Sequence, residues 1–573
     1  MTSPPRLLAT ATARAGGWFA LATVAAVSAA AATLALPTAL ADALDAVVQD
    51  RSTRPPVTWL ALVVVVLAVS GAVRAWAAGA YDAVTVAWLR RGLATRALAA
   101  GVPGQRRFPA GDLGSRMVGS CAQAGQAGFA IVSMALSLLT SLGALVALWL
   151  VDWRLGTAFV LGVPPAVLVI RVFMNRGTKV FGEYQETQAR ISALLLEATT
   201  GSRTIGAAGT VRDEIGRVLK PLPDLARTGH RTWMLQRDTA WQLNLLLPEV
   251  QVLVLAVGGY ALVQGDLTAG ELTAVVGYTS LALGLIDQVE SLFVLSMAAA
   301  GARRVAEVID QPVPTPGHLD RTPSPQAASV TLRQVTVQGD DGPVLHDIDL
   351  HLPAGDTLAL VGRSGAGKST LAALFGRLRD PDRGQVLIAG HPVEDLSPRA
   401  LRRTVGYAFE KPALLGETLR DTLLLADPDA PDARLTAAAR AARVDGFVRG
   451  LPEGYHTPLS EVRLSGGEIQ RLGLARALVQ DAAVVVLDDA TSSLDMATEA
   501  EVDAAMTAAW AGRTRVVVAH RASTAARADL VGWLEDGRLR GLAPHRRLWE
   551  NPDYRALFEV TDRTEPEAPC PTP

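Results

Sequence analysis

Cysteine is almost missing from this chain. Cys121 and Cys570 are the only two in 573 residues, and they supply neither a disulfide framework nor a cysteine-ligated metal cluster. Cys570 stands fourth from the end, where a prenyl acceptor would lie. Pro571, Thr572 and Pro573 follow it instead of aliphatic residues, which argues against prenylation. An excess of either charge is missing too: 54 lysines and arginines face 56 aspartates and glutamates, a formal net charge of −2. No global basic surface points to nucleic acid, so none is expected as a partner. No internal repeat is visible. What is abundant is apolar surface. Hydrophobic residues make up 49% of the chain and the mean hydropathy is +0.24, too apolar for a typical soluble protein. The length exceeds one ordinary domain.

The apolar residues are grouped. Gly17–Leu40, Val57–Ala80, Gly128–Val151, Leu155–Phe173, Trp241–Val263 and Leu272–Ala298 are each long enough, or nearly so, to cross a hydrocarbon core of about 30 Å. Their alanines and glycines suit close helix–helix approach in lipid. The connections alternate in character. Ala41–Pro56, Asp152–Arg154 and Gln264–Glu271 are short or mildly acidic. The other connections are long and carry Arg90, Arg91, Arg96, Arg106, Arg107 and Arg116, then Arg176, Lys179, Arg190, Arg203 and Arg212. This bias predicts six spans in the cell membrane with both termini cytoplasmic, the long inner connections continuing as helices below the bilayer. Arg6, Arg14, the run Gly17–Leu36 and Ala39-Leu40-Ala41 imitate a secretory signal. That run is longer than the ~7–15 residues of a signal's apolar core. With five further spans and a cytoplasmic C-terminal half, the count is even only if the first is kept, so it is read as a retained span.

Composition changes after the last span. Gln311–Ala328 holds Pro312, Pro314, Pro316, Pro323 and Pro325 and reads as a stiff linker. From Ser329, β-branched runs alternate with helical ones, as in an α/β domain; Thr357–Val361, Gln385–Ile388, Ala483–Leu487 and Arg515–Ala519 are the expected strands. The division is therefore 1–310, a six-span domain; 311–328, linker; 329–560, α/β domain; 561–573, a Pro/Glu-rich tail expected to be disordered.

The sharpest local pattern is Gly362-Arg363-Ser364-Gly365-Ala366-Gly367-Lys368-Ser369-Thr370, which fits G-x-x-x-x-G-K-[ST]. The backbone N–H groups of such a loop wrap a nucleotide's phosphates at a helix N-terminus. Its lysine reaches the β- and γ-phosphates, and the Ser369 hydroxyl holds Mg2+. Thr357–Val361 is the strand that feeds the loop. A second apolar strand ends in Asp488, the Walker B pattern, placed to hold Mg2+. Between them lies Leu464-Ser465-Gly466-Gly467-Glu468-Ile469-Gln470-Arg471. After them come Ser492-Ser493-Leu494-Asp495 and Val516-Val517-Val518-Ala519-His520-Arg521.

In this order and company the motifs resemble those of ABC transporters. Residues 329–560 look like the nucleotide-binding domain, an α/β P-loop NTPase fold, and residues 1–310 resemble the all-α six-helix membrane domain of the exporter type. The resemblance implies an ATP hydrolase coupled to transport, with ATP and Mg2+ as ligands. It implies a half-transporter that pairs with a second one in the lipid bilayer and moves an amphipathic small molecule or peptide outward. Two nucleotide-binding domains would sandwich ATP head to tail. Lys368 and Asp488 of one would face Ser465, Gly466, Gly467 and Glu468 of the other, with His520 at the γ-phosphate.

Several positions depart from the family pattern. The residue after the Walker B aspartate is usually glutamate, the base that orients the attacking water; here it is Asp489, one methylene shorter. A displacement of ~1 Å at a reacting group costs ~100-fold in rate. The glutamine that senses Mg2+ is replaced by Glu410, which keeps an oxygen ligand and adds charge. The aromatic ring expected under adenine falls near Gly339. The signature ends in Glu468 rather than glutamine, and Ser460–Arg463 before it reads as shortened. The weakened Walker face beside an intact Ser465-Gly466-Gly467 resembles one half of a heterodimeric exporter. An active homodimer that tolerates Asp489 stays open. So do a nucleotide-gated regulatory subunit with little hydrolysis and an importer of exporter shape, although no extra N-terminal binding domain favours the latter.

Two further expectations concern the membrane domain. Phe108–Arg116 and Gln188–Gly206 match where the family places the helices that couple the two domains. Asn244, Glu249 and Gln251, with Asp287, Gln288 and Glu290, are polar groups inside spans and candidates for the substrate pathway. They would favour a cationic or amphipathic cargo, or else pair with Arg74 or Arg171. Pro248 is expected to break the fifth span locally.

Overall fold

The structure, a computed structural model, describes residues 4–284, 288–313, 315–320, 326–339 and 342–559. Side chains at 4, 103, 105, 106, 174, 175, 178, 179, 288–293, 496, 497 and 559 are also outside the description. Two compact units are present. One comprises Met1–Leu98 and Phe108–Gln311; the other comprises Ala99–Arg107 and Pro312–Pro573. The expected tail, 561–573, lies outside the described residues.

The first unit is helical. Among its described residues, five helices are long and apolar enough to cross a membrane: Gly16–Val48, Arg54–Ala99, Ala110–Val151, Trp153–Phe173 and Val211–Gln264. The sixth expected span is carried by Ala269–Leu283 and Gln288–Ile309, on either side of residues 285–287, which are not described. The 43 residues of Leu222–Gln264 make a rod of about 65 Å, longer than a bilayer core, as the polar inner connections require. Pro248 does not break it. The helix is continuous, because a face buried at Val250, Val254, Gly258 and Ala261 holds it through the one hydrogen bond that proline removes. A break occurs instead in the fourth span, at Val163 between Trp153–Gly162 and Pro164–Thr200. There Pro164 and Pro165 together deny donors to two successive carbonyls.

Polar contacts pin both ends of this unit. At the outer end Thr268 and Glu271 form a reciprocal N-terminal cap. Asp45 accepts hydrogen bonds from the Thr268 hydroxyl (2.6 Å) and the Gly270 N–H (2.8 Å), tying the first span to the sixth. At the inner end the buried Arg116 opens a π-helical turn, Arg116–Ser120. It pairs with Asp112 (2.7 Å) and Glu307 (2.7 Å), while Arg304 pairs with Asp112 (2.8 Å). Phe108–Arg116 is ionically locked inside the helical unit, whereas Ala99–Arg107, containing the short helix Gly101–Arg107, groups with the C-terminal one.

Among its described residues the second unit contains ten strands: β1 Val330–Gly339, β2 Gly342–Leu352, β3 Thr357–Val361, β4 Arg383–Ile388, β5 His391–Pro392, β6 Val405–Phe409, β7 Val484–Asp488, β8 Thr514–Val518, β9 Leu530–Glu535 and β10 Arg538–Ala543. Four form an antiparallel sheet in the order β2-β1-β4-β5. The other six form a sheet in the order β10-β9-β3-β8-β7-β6, parallel except for the β10 edge. Leu332, Ile348 and Leu352 from the first sheet, Leu358, Leu360 and Val516 from the second, and Leu371 and Phe375 from the helix after β3 share one core. The linker does not hang free. Leu319 bridges to Leu396, and the Ala328 carbonyl accepts from Thr514 (2.8 Å).

A second core surrounds the helix Gly466–Gln480, where Leu472, Leu474 and Ala475 pack against Leu419, Leu435, Val444 and Val448. Asp445 anchors this layer. Its carboxylate accepts from Tyr455 (2.6 Å), Arg449 (2.8 Å) and Arg440 (3.2 Å), beside the Arg443 carbonyl that receives Arg471 of the helix. Burial pushes the Asp445 pKa up, but the bonds from Tyr455 and the two arginines outweigh it and leave the carboxyl below its ordinary value. A depressed carboxylate stabilises the fold above its unfolded-state pKa of about 3.9 and loses that contribution as pH falls through the lower folded value. Asp445→Asn should therefore destabilise the unit by roughly 1–3 kcal/mol at neutral pH. In denaturant melts, its difference from wild type should shrink progressively below about pH 4.

Candidate functional site

The site grows from the C-terminal edge of the parallel sheet. β3 is buried along its whole length and ends at Val361. Gly362 then turns the chain beneath the Leu534 carbonyl with φ 153°, and a Cβ there would sit 2.2 Å from that oxygen. Gly367, at φ 98°, passes Leu345 so closely that a Cβ would come within 2.8 Å of its side chain. Glycine is required at both positions by conformation and by space. The loop hands over to the helix Lys368–Phe375, whose first residue is buried and whose Nζ donates to the carbonyls of Gly362 (2.9 Å) and Arg363 (3.1 Å). Burial lowers the Lys368 pKa, and the charges of Asp489 and Asp488 oppose the shift.

The neighbouring strands bring the remaining groups. β8 lies beside β3 with Val518 opposite Leu360, β7 lies beside β8, and β6 beside β7 with Phe409 opposite Asp488. His520, Asp488 with Asp489, and Glu410 leave these three strands at the same edge. Ser369 donates to Asp488 at 2.9 Å. The next residue has φ 53°, a left-handed conformation that aspartate tolerates better than bulky residues. It turns Asp489 away from Asp488 and brings it to His520, whose Nε2 lies 3.0 and 3.1 Å from its two oxygens. Arg521 pairs with Glu499 and fixes the segment behind the histidine. Tyr407, in β6, donates to Ala372 (2.9 Å) and accepts from the Gly376 N–H (2.7 Å), which fastens β6 to the far end of the phosphate-loop helix.

These residues fit a triphosphate with a divalent cation. The loop offers backbone donors and one ammonium. Burial raises the Asp488 pKa, Ser369 partly offsets this, and Asp489 and Glu410 raise it further. Excess negative charge beside a hydroxyl is what Mg2+ relieves, and this ion is typically held by one or two protein oxygens plus phosphate and water. Ser369 and Asp488, already within hydrogen-bond distance of each other, would supply those oxygens. Glu410, the third candidate oxygen, is half exposed and pairs with Lys411 at 3.5 Å. Among the described residues no group of three His, Cys, Asp or Glu is arranged to hold a metal alone.

Comparison with known proteins settles the family. The family model for the ABC transporter transmembrane region matches residues 19–286, and that for the ABC transporter domain matches residues 345–492. The ABC transporter ATP-binding protein RamA of Streptomyces coelicolor is 44% identical over 79% of this chain and 71% of its own length.

The chain belongs to the ABC transporters.

Other relatives include the ATP-dependent lipid A-core flippase of Chromobacterium violaceum, 31% identical over 80% of this chain and 79% of its own. A putative multidrug export ATP-binding/permease protein of Staphylococcus aureus is 31% identical over 73% of each chain. The structure of a bacterial Atm1-family ABC exporter with ATP bound has the same fold, with a TM-score of 0.76 and 23% identity over 96% of this chain and all of that one. This ABC transporter is thus a multi-pass membrane protein with a cytoplasmic nucleotide-binding domain.

The ABC signature is well formed but stands apart from the loop. Ser465 caps the helix Gly466–Gln480. Its N–H and hydroxyl donate to the Glu468 carboxylate (2.7 and 2.8 Å), and its oxygen accepts from the Glu468 N–H (3.3 Å). Gly467 packs on Leu494. In the membrane domain, Asn244 donates to the Ala240 carbonyl of its own helix (2.9 Å), and Gln251 donates to Ser280 (3.0 Å), joining the fifth helix to the sixth. Glu249 is exposed and makes no ion pair with Arg74 or Arg171. Asp287 and the Glu290 side chain lie outside the described residues.

Sequence reading missed Tyr407, the Arg521–Glu499 pair and Gln470. The last lies inside the quoted signature stretch, but its role rests on burial and tertiary partners that the residues alone do not reveal. Gly362→Ala should meet the Leu534 carbonyl directly. We expect ATP affinity to fall at least about tenfold, roughly 1.4 kcal/mol, in a fluorescent-nucleotide titration, with wild-type secondary structure by circular dichroism.

Proposed function

We propose that this chain is an exporter-type half-transporter that pairs with a second half-transporter and drives an amphipathic small molecule or peptide outward across the membrane. Within that pair it contributes a weakened Walker B face to one ATP site and an intact signature to the other. The contact between Asp489 and His520, beside the Ser369–Asp488 bond, is the observation that carries this reading.

In one protomer the phosphate loop, Asp488, Asp489 and His520 stand at one sheet edge, while Ser465-Gly466-Gly467 pack against the segment that follows Asp489 and make no bond to the loop. The signature is therefore available to a nucleotide held by another chain. Lys368 and the loop N–H groups bind and orient the phosphates; Ser369 and Asp488 hold Mg2+, which neutralises phosphate charge when bound. In this reading Asp489 takes the proton of an attacking water, and His520 orients it. The short Asp489 side chain, already engaged by His520, reaches less far than glutamate would, which supports slow turnover at this face. The relatives named for lipid A-core and multidrug export support an amphipathic cargo.

ATP hydrolysis by the purified chain in lipid nanodiscs, alone and with a candidate partner half-transporter, tests the reading. Alone, turnover should be low; with the partner it should rise. Asp489→Asn should lower turnover at this face about 100-fold, and Asp489→Glu should raise it. An Asp489→Asn complex as active as wild type would remove Asp489 from the role of base. Purified protein that retains no adenine nucleotide would end the proposal altogether.

A further inference from the structure

Gln470 sits on the signature helix Gly466–Gln480 and is 2% exposed. Buried amides are retained where all their hydrogen-bonding groups are used, and this one is used on both sides. Its Nε2 donates to the Glu410 carbonyl at 2.9 Å and to the Ser492 hydroxyl at 3.1 Å. Its Oε1 accepts from the Ser493 N–H at 2.9 Å. Glu410 follows β6, and Ser492 and Ser493 follow β7 just beyond Asp489, whose carbonyl accepts from the Ser492 N–H (3.2 Å). One side chain therefore spans the two loops that leave adjacent strands at the nucleotide edge.

The grip extends along the same helix. Gly473 lies against Pro412 so closely that a Cβ would come within 2.7 Å of the ring. Arg476 donates to the Ala413 carbonyl (2.8 Å), and Gln480 to the Val405 carbonyl (3.1 Å). Spacings of three and four residues put these positions on one helix face. The segment from β6 to Ala413 is held on that face at four points.

We infer that Gln470 is a positioning residue for ATP hydrolysis. It locks the loops carrying Glu410 and Asp489 to the signature helix, so that engagement of the signature by one nucleotide sets the base at the other. The inference rests on the ATPase reading above. Loss of Gln470 alters the placement of Asp489 without altering the phosphate loop, so turnover falls while nucleotide affinity stays.

Gln470→Met keeps length and volume and removes all three bonds. Gln470→Glu keeps an acceptor for Ser493, but as a carboxylate it has no donor for the Glu410 carbonyl. In nanodiscs with the partner half-transporter, both variants should lose at least tenfold in ATP turnover, with KM for ATP within twofold of wild type. Hydrogen exchange gives a readout that does not depend on a variant folding. In wild type the Ser493 amide should exchange as slowly as the amides of the helix Gly466–Gln480. In Gln470→Met it should exchange as fast as an exposed loop amide while the helix amides stay slow. Wild-type turnover in Gln470→Met overturns the inference. So does a parallel loss of turnover, affinity and melting temperature, and so does fast Ser493 exchange in wild type. A wild-type complex with no ATPase activity at all would instead defeat the ATPase reading, and the exchange measurement would still decide whether the lock exists.

Discussion

Parallel pairing of β3, β8, β7 and β6 governs where chemistry is possible in this protein. Each strand is five residues long, and their C-terminal ends are in register. Lys368, His520, Asp488, Asp489 and Glu410 come from sequence positions more than a hundred residues apart at the extremes, yet all emerge along one edge. A one-residue slip in any pair would reverse the faces of its side chains and pull an anionic group out of the line. The apolar layer beneath, from Leu358 to Val516 and Phe375, prevents such a slip, because each strand has its interior residues committed to the core.

The same edge concentrates negative charge. Asp488, Asp489 and Glu410 are neighbours, and Lys368 is the only buried cation beside them among the described residues. The arrangement splits the carboxylates by function through backbone geometry. Asp488 continues the strand and meets Ser369, while the left-handed turn at the next residue sends Asp489 to His520. Two adjacent acids are thereby given different partners with no intervening residue.

Local features were legible in the residues themselves. The spacing of Gly362, Gly367, Lys368 and Ser369 encodes a backbone path, and a strand such as Thr357–Val361 announces itself by continuous apolar character. The apolar runs likewise announced the helices of the membrane domain. Features that depend on strand order or helix neighbours were not legible. Nothing near Asp489 in sequence points to His520, and nothing near Arg116 points to Glu307, because each partner is delivered by tertiary packing. The ion pairs of Asp112 and Arg116 with Arg304 and Glu307, which tie Phe108–Arg116 into the helical unit, are of the same kind. Pro248 was misread because a proline's cost is local, whereas the buried seam that tolerates it is not.

The Arg116 junction also bears on how stress travels within the helical unit. The last helix reaches Ile309 just after Arg304 and Glu307, the two residues clasped to the start of the third span. A pull along that terminal rod is delivered to the third span through short, directional ionic contacts, which resist sliding far better than apolar side chains that can trade neighbours. The two rods consequently shift as a welded pair. Compliance is left to the fourth span, where consecutive prolines have already removed the bonds that would stiffen it.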